Sequence, residues 1–246
     1  MTASETQIKL YLSTAHPCSY LDDEMAHTAF IDPQIDMSML LYSALAQQGF
    51  RRSGRMVYRQ HCEDCKQCLS VRIPVDAFKS RRIHRRVLKA NSDISIQEET
   101  VSDDPELYKL YQRYTAARHE DGEMKNSTLE EYLNFLTTSW SDTRFMVMRL
   151  HGNPVGVAVT DVLHDGLSAV YTFFDPDMPK RSLGTFGILQ QIELAKTYGL
   201  PYLYLGFWVR DCQKMSYKTD YRPLQIYSED RWKQFENGEF IDLPEL

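Results

Sequence analysis

Cys62, Cys65 and Cys68 stand in the stretch YRQHCEDCKQCLSVRIP (58–74) at a C-x-x-C-x-x-C spacing. Two-residue gaps let one tight turn aim successive thiolates at a single point, the geometry that Zn²⁺ or an iron–sulfur cluster requires. Cys18 in HPCSYL is the natural fourth ligand, with His61 or His16 behind it. The plainer reading is reduced thiols that pack as small hydrophobes. A second stretch, YLYLGFWVRDCQKMSYKTDYRP (202–223), mixes rings with cations. Aromatic faces stack on unpaired bases while Lys and Arg hold phosphates. Lys214, Tyr217, Lys218 and Tyr221 lie beyond its alternating part and are the candidates for such contacts. A third stretch places Lys180, Arg181, Ser182, Gly184 and Thr185 ahead of an apolar helical run. Backbone N–H groups at a helix start, with cations beside them, attract an anion. An ordinary cap at Ser182 has the same appearance.

The background to these stretches is acidic, with a net charge of −6 over 246 residues. Between Arg51 and Lys89, however, twelve Lys and Arg face only Glu63, Asp64 and Asp76, so this segment carries +9 and the remainder −15. A localised positive field attracts a polyanion to one face while the rest discourages non-specific adhesion, which favours nucleic acid as a partner over a merely solvated helix face. Apolar residues make up 43% and charged residues 25%, the balance of an ordinary globular chain. No run approaches the length of a membrane span. MTASETQIKLYLS lacks the basic region and apolar core of a secretory signal. Five cysteines, three of them too close for separate disulfides, point to a reducing, cytoplasmic setting.

The elements that must position these residues follow from periodicity. IKLYL (8–12) alternates as a strand, and Asp36 reads as the cap of a helix over 37–48 stopped by Gly49. MVYR and LSVRIPV flank the cysteine turn as strands, and the basic run 79–89 reads as helix or helix plus loop. Polar, acidic residues 91–104 around a short strand mark a boundary, giving an N-terminal module of 1–98 and a C-terminal domain of 99–246. Asp104-Pro105 starts a helix running to about Arg118, ahead of Asp121-Gly122, and Ser127 with Glu130 forms a capping box for the next, to about Ser139. Strands at 144–150, 155–163 and 167–174 are joined by His151-Gly152-Asn153 and His164-Asp165-Gly166, where Asn and Asp next to Gly suit positive φ. A helix over 186–198 and a strand over 202–209 complete the pattern, with no internal repeat. The expected fold is α+β. Two helices, an antiparallel meander, a loop, a helix and a strand is the order of a GNAT-like acyltransferase domain, here beside a smaller, basic, cysteine-containing α/β module. In that fold the loop feeding the helix holds the phosphates of the acyl carrier.

HPCSYL, YRQHCEDCKQCLSVRIPV with its basic run, GLSAVYTFFDP, KRSLGTF and KMSYKTDYRP together extend from about residue 8 to 228. In these pieces the chain resembles the arginyl/leucyl-tRNA–protein transferase family, and in particular its short bacterial leucyltransferases. The block KMSYK-xx-Y-x-P, occupied by Lys214, Met215, Tyr217, Lys218, Tyr221 and Pro223, is similar to the family's C-terminal signature. The resemblance implies an enzyme that takes an aminoacyl group from tRNA and joins it to the α-amine of a protein beginning with Asp or Glu, marking it for N-degron proteolysis. It implies no cofactor for the chemistry. Eukaryotic members carry metal-binding cysteines near the N-terminus, but their C-x-x-C is here C-x-x-L, from Cys18 to Leu21. The implied reaction needs a group to orient or deprotonate the amine, for which Asp161 and Asp175 are the candidates. A solvent-facing strand position and a strand-end turn are their plainer roles. Tyr171 or Ser182 is the candidate donor to the oxyanion, and Arg59, Arg72 or Arg81 the cation for the degron's acidic side chain, with Tyr20 and Arg85 further substrate or tRNA contacts. An arginyl donor, an acetyl-CoA-dependent GNAT enzyme and a non-catalytic RNA-binding module are the alternatives. The second needs a Gly-rich pyrophosphate loop, for which KRSLGTFG offers only Gly184 and Gly187.

Overall fold

Alternating and helical periods in the sequence become fourteen strands and five α-helices in the computed structural model, which describes residues 8–101, 103–118 and 126–242. The N-terminal part begins with β1 (Leu10–Leu12), the short pair β2 (His16–Pro17) and β3 (Met25–Ala26), and β4 (Thr28–Ile31). Helix α1 (Met39–Gln47) is capped by Ser38 and not by Asp36: the Ser38 hydroxyl accepts from the Leu41 N–H at 3.2 Å. A capping side chain reaches an amide two or three residues on, and Asp36 stands too early. Gly49, at φ +82, turns the chain into β5 (Arg51–Ser53), followed by β6 (Met56–Gln60), β7 (Leu69–Pro74), α2 (Arg82–Ala90) and β8 (Ile94–Thr100).

Asp104-Pro105 opens α3 (Pro105–Arg118), the Asp104 carboxylate accepting from the Glu106 N–H at 2.8 Å. The expected stop at Asp121-Gly122 lies outside the described residues. The capping box of α4 (Leu129–Leu136) is Thr128 with Glu131, one residue on from Ser127 and Glu130. Both frames offer a hydroxyl and a Glu, and the one adopted buries Tyr132 and Leu136. The meander β9 (Asp142–Leu150), β10 (Asn153–Val162) and β11 (Gly166–Phe174) follows. His151 and Gly152 take the positive φ of its first turn, while none of His164, Asp165 and Gly166 does so in the second. Gly166 is needed there for closeness, since a Cβ would lie 2.6 Å from the Tyr202 carbonyl oxygen. The chain ends with α5 (Leu183–Thr197), β12 (Tyr202–Trp208), a 3-10 turn over Gln213–Asp220, β13 (Leu224–Ser228) and β14 (Arg231–Phe235).

Four strands form one sheet in the order β1-β4-β6-β5, and eight form a second in the order β14-β13-β7-β12-β11-β10-β9-β8. All pairs in the large sheet are antiparallel except β11 with β12, which α5 connects. The residue 98/99 boundary falls inside β8, and β7, from its N-terminal side, is hydrogen-bonded between β12 and β13. Both faces of the sheet are covered. On β9, Phe145 and Val147 join the cluster with α3 and α4, while Met146 and Met148 join the cluster with α5. That is the period-two alternation of a strand buried on both sides.

One ion pair ties the two sheets together. Asp161, on β10, accepts from Arg52 of β5 at 2.5 Å from Nε and 2.7 Å from Nη2, and from the Thr143 hydroxyl at 2.7 Å. Arg52 Nη2 also donates to the Leu136 carbonyl at 2.8 Å, at the end of α4, and neither side chain of the ion pair is exposed. Asp161 is thus not the solvent-facing strand residue that alternation suggested. Removing one partner leaves the other charged, buried and alone, which costs about 3–5 kcal/mol. Arg52→Met is therefore expected to lower the unfolding free energy measured by urea titration by about 3–5 kcal/mol, and Arg52→Met with Asp161→Leu to recover most of it.

Candidate functional site

The parallel pair β11 and β12 is in register for only three residues, Gly166–Ser168 against Tyr202–Tyr204. Beyond them the strands part, and β12 carries an irregularity at Leu205 and Gly206 where it meets β7. A split between parallel strands exposes backbone that no neighbouring strand satisfies, and here side chains from the N-terminal sheet and the 3-10 turn reach it. Adjacent residues of a strand point to opposite sides, so β5 sends Arg52 to Asp161 and Arg51 into the split. The Arg51 guanidinium donates to the Val170 carbonyl of β11 at 3.5 Å and stacks on Phe207 of β12 and Tyr58 of β6, at 5.6 and 6.0 Å from the ring centres. Gly206, at φ +74, makes the room: a Cβ there would lie 2.8 Å from Arg51 Nη1. Ser70, Ser168, Ala169, Tyr204 and Phe50 complete the walls of the small cavity at this point.

Several expected site residues gather around Arg51. Its charge is felt by Tyr20, Tyr217 and Lys218. Burial pushes the Tyr20 phenol up to about 12, opposed by the Arg51 charge. Lys218 is buried, and its ammonium donates to the Phe207 carbonyl. Its ammonium is thus turned inward, away from the surface where a tRNA phosphate contact was expected of it. Burial first, and then the charge of Arg51, bring its pKa down from 10.5 to about 7. Next along β11, Tyr171 is ringed by Tyr111, Tyr114, Phe135 and Phe173, and among the described residues its buried hydroxyl has no hydrogen-bond partner. Burial holds that phenol protonated far above its ordinary range.

Other expected residues lie apart from the split. Asp175 follows β11 at its far end, where it accepts from Arg113 at 2.7 Å, and its N–H donates to Val155. Six positions of β10, about 20 Å, separate Val155 from Asp161, so the two carboxylates do not act on one amine. Arg181 is held by Asp93 at 2.7 and 2.9 Å and by the Ala90 carbonyl, not left for an anion. Ser182, in left-handed conformation at φ +51, makes no side-chain cap at the exposed start of α5. Gly184 approaches the Phe174 ring, and Thr185 faces the Tyr221 hydroxyl. Tyr221 stacks on His84 of α2 at 5.0 Å, which anchors the 3-10 turn. Lys214 is exposed. Arg72 is buried between Tyr202 and Trp232, 3.5 and 4.2 Å from the ring centres, and donates to Gln225 and Tyr204. Arg81 pairs with Asp220, Arg85 donates to the Ser80 carbonyl, and Arg59 lies over Phe50.

All five thiols are free, and four of them, Cys18, Cys62, Cys65 and Cys212, act on Cys68. Burial, and after it those thiols, push Cys68 up to about 12, which favours the protonated thiol over the thiolate that a metal needs. Among the described residues no three His, Cys, Asp or Glu side chains converge on a point suited to an ion. No described helix is long and apolar enough to cross a membrane.

Arg51 was legible in the sequence only as one of twelve cations. Its position after Gly49, next to an arginine of opposite facing, is the signal that sets it apart.

Two family models match the chain: the N terminus of arginine-tRNA-protein transferase over residues 16–86 and its C terminus over residues 106–228. The chain belongs to the arginine-tRNA-protein transferase family, and is thus an aminoacyltransferase. An aspartate/glutamate leucyltransferase of Alcanivorax borkumensis is 51% identical over 227 residues, 92% of this chain and 94% of that protein. A protein of the same name from Teredinibacter turnerae is 51% identical over 92% of this chain and 93% of its own length. Among solved structures, FemX covers 85% of this chain and 82% of its own at a TM-score of 0.48 and 10% identity, too distant a likeness to add to the fold.

The lowered Lys218 fixes a pH dependence. Between about 7 and 10.5 the unfolded chain holds a proton at Lys218 that the folded chain has released. Stability therefore rises with pH across that window. Lys218→Met is expected to raise the urea midpoint at neutral pH and to remove this rise, as paired unfolding curves at about pH 7 and pH 9.5 will show.

Proposed function

We propose that this chain transfers leucine from leucyl-tRNA to the α-amino group of proteins that begin with Asp or Glu, with the chemistry at the split between β11 and β12. The observation that carries the reading is the 51% identity, over 92% of the chain, to proteins named aspartate/glutamate leucyltransferase. The product gains an N-terminal leucine and is marked for N-degron proteolysis. The parallel pair that parts after three residues, joined by α5, supports a GNAT-type acyltransferase. Arg82, Arg85, Arg86 and Lys89, exposed on α2, supply the positive face for the tRNA. Five free thiols accord with a reducing, cytoplasmic setting.

In the reaction the amine nitrogen bonds to the leucyl carbonyl carbon and the ester bond to the terminal ribose breaks. The amine gives up a proton and the ribose oxygen takes one. The ester is already activated, so the enzyme must chiefly hold the two substrates together and stabilise the tetrahedral oxygen. Tyr171 is our assignment for that donor, because its hydroxyl is buried, protonated and unpartnered among the described residues. An α-amine has a pKa of roughly 7.7–8, so a mild base suffices to take its proton. Lys218, at about 7, is able to take it up near neutral pH. Asp161 acts at one remove, by holding Arg52 and so β5.

Radiolabelled leucine and arginine, each on its cognate tRNA, test the donor against peptides beginning with Asp, Glu, Ala or Lys. Leucine is expected to enter only the Asp and Glu peptides. Arginine entering in its place would keep the family and change the donor, and transfer of neither would overturn the reading. In the same assay Tyr171→Phe is expected to lower kcat about 100-fold or more with the KM for leucyl-tRNA little changed.

A further inference from the structure

We propose that Arg51 reads the acceptor, binding the carboxylate of its first side chain in the split between β11 and β12. The inference rests on the reaction proposed above for its substrate class, and on the geometry of β5 for the residue. The arginines of the basic segment meet different fates. Arg52 is neutralised by Asp161, and Arg81 by Asp220. Arg72 lies 3.9 Å from Asp165 and is enclosed by rings. Arg51 is half-buried like a residue that needs a partner, yet it faces only a carbonyl and two aromatic faces.

A titratable amine stands within reach of the Arg51 charge. Lys218 is 5% exposed, bonds the Phe207 carbonyl, and feels the charge of Arg51. A guanidinium held partly out of water with no anion beside it is unfavourable until an anion arrives. The fold nevertheless secures the arrangement. Gly206 leaves the space that any side chain would take from the Arg51 guanidinium, and the Arg52–Asp161 pair fixes the strand from which Arg51 projects. Of five N–H donors on a guanidinium, one here reaches Val170. The planar fork that remains suits a carboxylate held by two parallel hydrogen bonds. A carboxylate is the anion favoured over a bulkier phosphodiester, because Phe50, Ser70, Ala169 and Tyr204 leave only a small cavity beside Arg51.

Fluorescence anisotropy of labelled peptides that begin with Asp or Asn reads this without any transfer step. The wild-type protein is expected to bind the Asp peptide about 10- to 100-fold more tightly, the range of a charge-assisted hydrogen bond, and Arg51→Gln to lose that preference. Arg51→Lys, which keeps the charge without the fork, is expected to keep part of it, and serves where Arg51→Gln does not fold. A wild-type protein with no preference for Asp, or a variant that retains it in full, would overturn the proposal. So would a loss confined to binding of a 5′-phosphorylated CCA oligonucleotide, which would assign Arg51 to the tRNA. Leucine transfer by the same samples separates the two readings. Asp-selective binding that depends on Arg51, without leucine transfer, would leave Arg51 its role and remove the donor. Leucine transfer that remains Asp-selective in Arg51→Gln would do the reverse.

Discussion

The buried pair of Arg52 and Asp161 is the constraint on which the rest of this structure depends. Charges taken so completely from water are stable only when each satisfies the other, and here Thr143 and the Leu136 carbonyl complete the set. The pair joins β5 to β10 and the end of α4, so it helps to fix the small sheet against the large one. Because adjacent strand residues face opposite ways, it also fixes where Arg51 points. A structural charge and a functional charge are consecutive in the chain, and the first positions the second.

The split between β11 and β12 has a similarly simple origin. β11 is held on its other side by β10 along most of its length, while β12 is drawn toward β7 with an irregularity at Gly206. Two strands that begin in register and are pulled toward different neighbours must part. Arg51 of β5, Lys218 of the 3-10 turn and Tyr20 of the loop after β2 come from separate stretches, yet the charge of Arg51 reaches both of the others, while Tyr171 of β11 lies among Tyr111, Tyr114 and Phe135. The KMSYKTDY block buries Lys218 and Tyr221, and leaves Lys214, Ser216 and Tyr217 exposed.

Local signals in the sequence were reliable where one short-range interaction decides the outcome. Asp104-Pro105 marked the start of α3, Gly49 and Gly199 the ends of two helices, and alternation the three strands of the meander. Where two frames were equally capped, as at Ser127 and Thr128, burial of Tyr132 and Leu136 chose between them, and that is a tertiary matter. The place of β7 in the middle of the large sheet left no local mark, because pairing partners 128 and more residues away are not written in a strand's own composition. Asp161 shows the same limit. In the sequence it reads as a solvent-facing strand residue, and Arg52, 109 positions earlier, explains why an acid is buried there. The cysteine spacing was easy to see, and Cys18, Cys62 and Cys65 lie near enough to act on Cys68, whose own thiol burial holds protonated.

The central claim is that the leucyl group and the acceptor amine meet in the split between β11 and β12. A crystal structure with a CCA oligonucleotide ending in a non-hydrolysable 3′-leucylamido adenosine tests it most directly. The account predicts density for the leucyl amide between these strands, with its carbonyl oxygen toward the Tyr171 hydroxyl and its chain of phosphates leading toward α2. An analogue bound at the start of α5, beside Arg181 and Ser182, with the split unchanged, would contradict it.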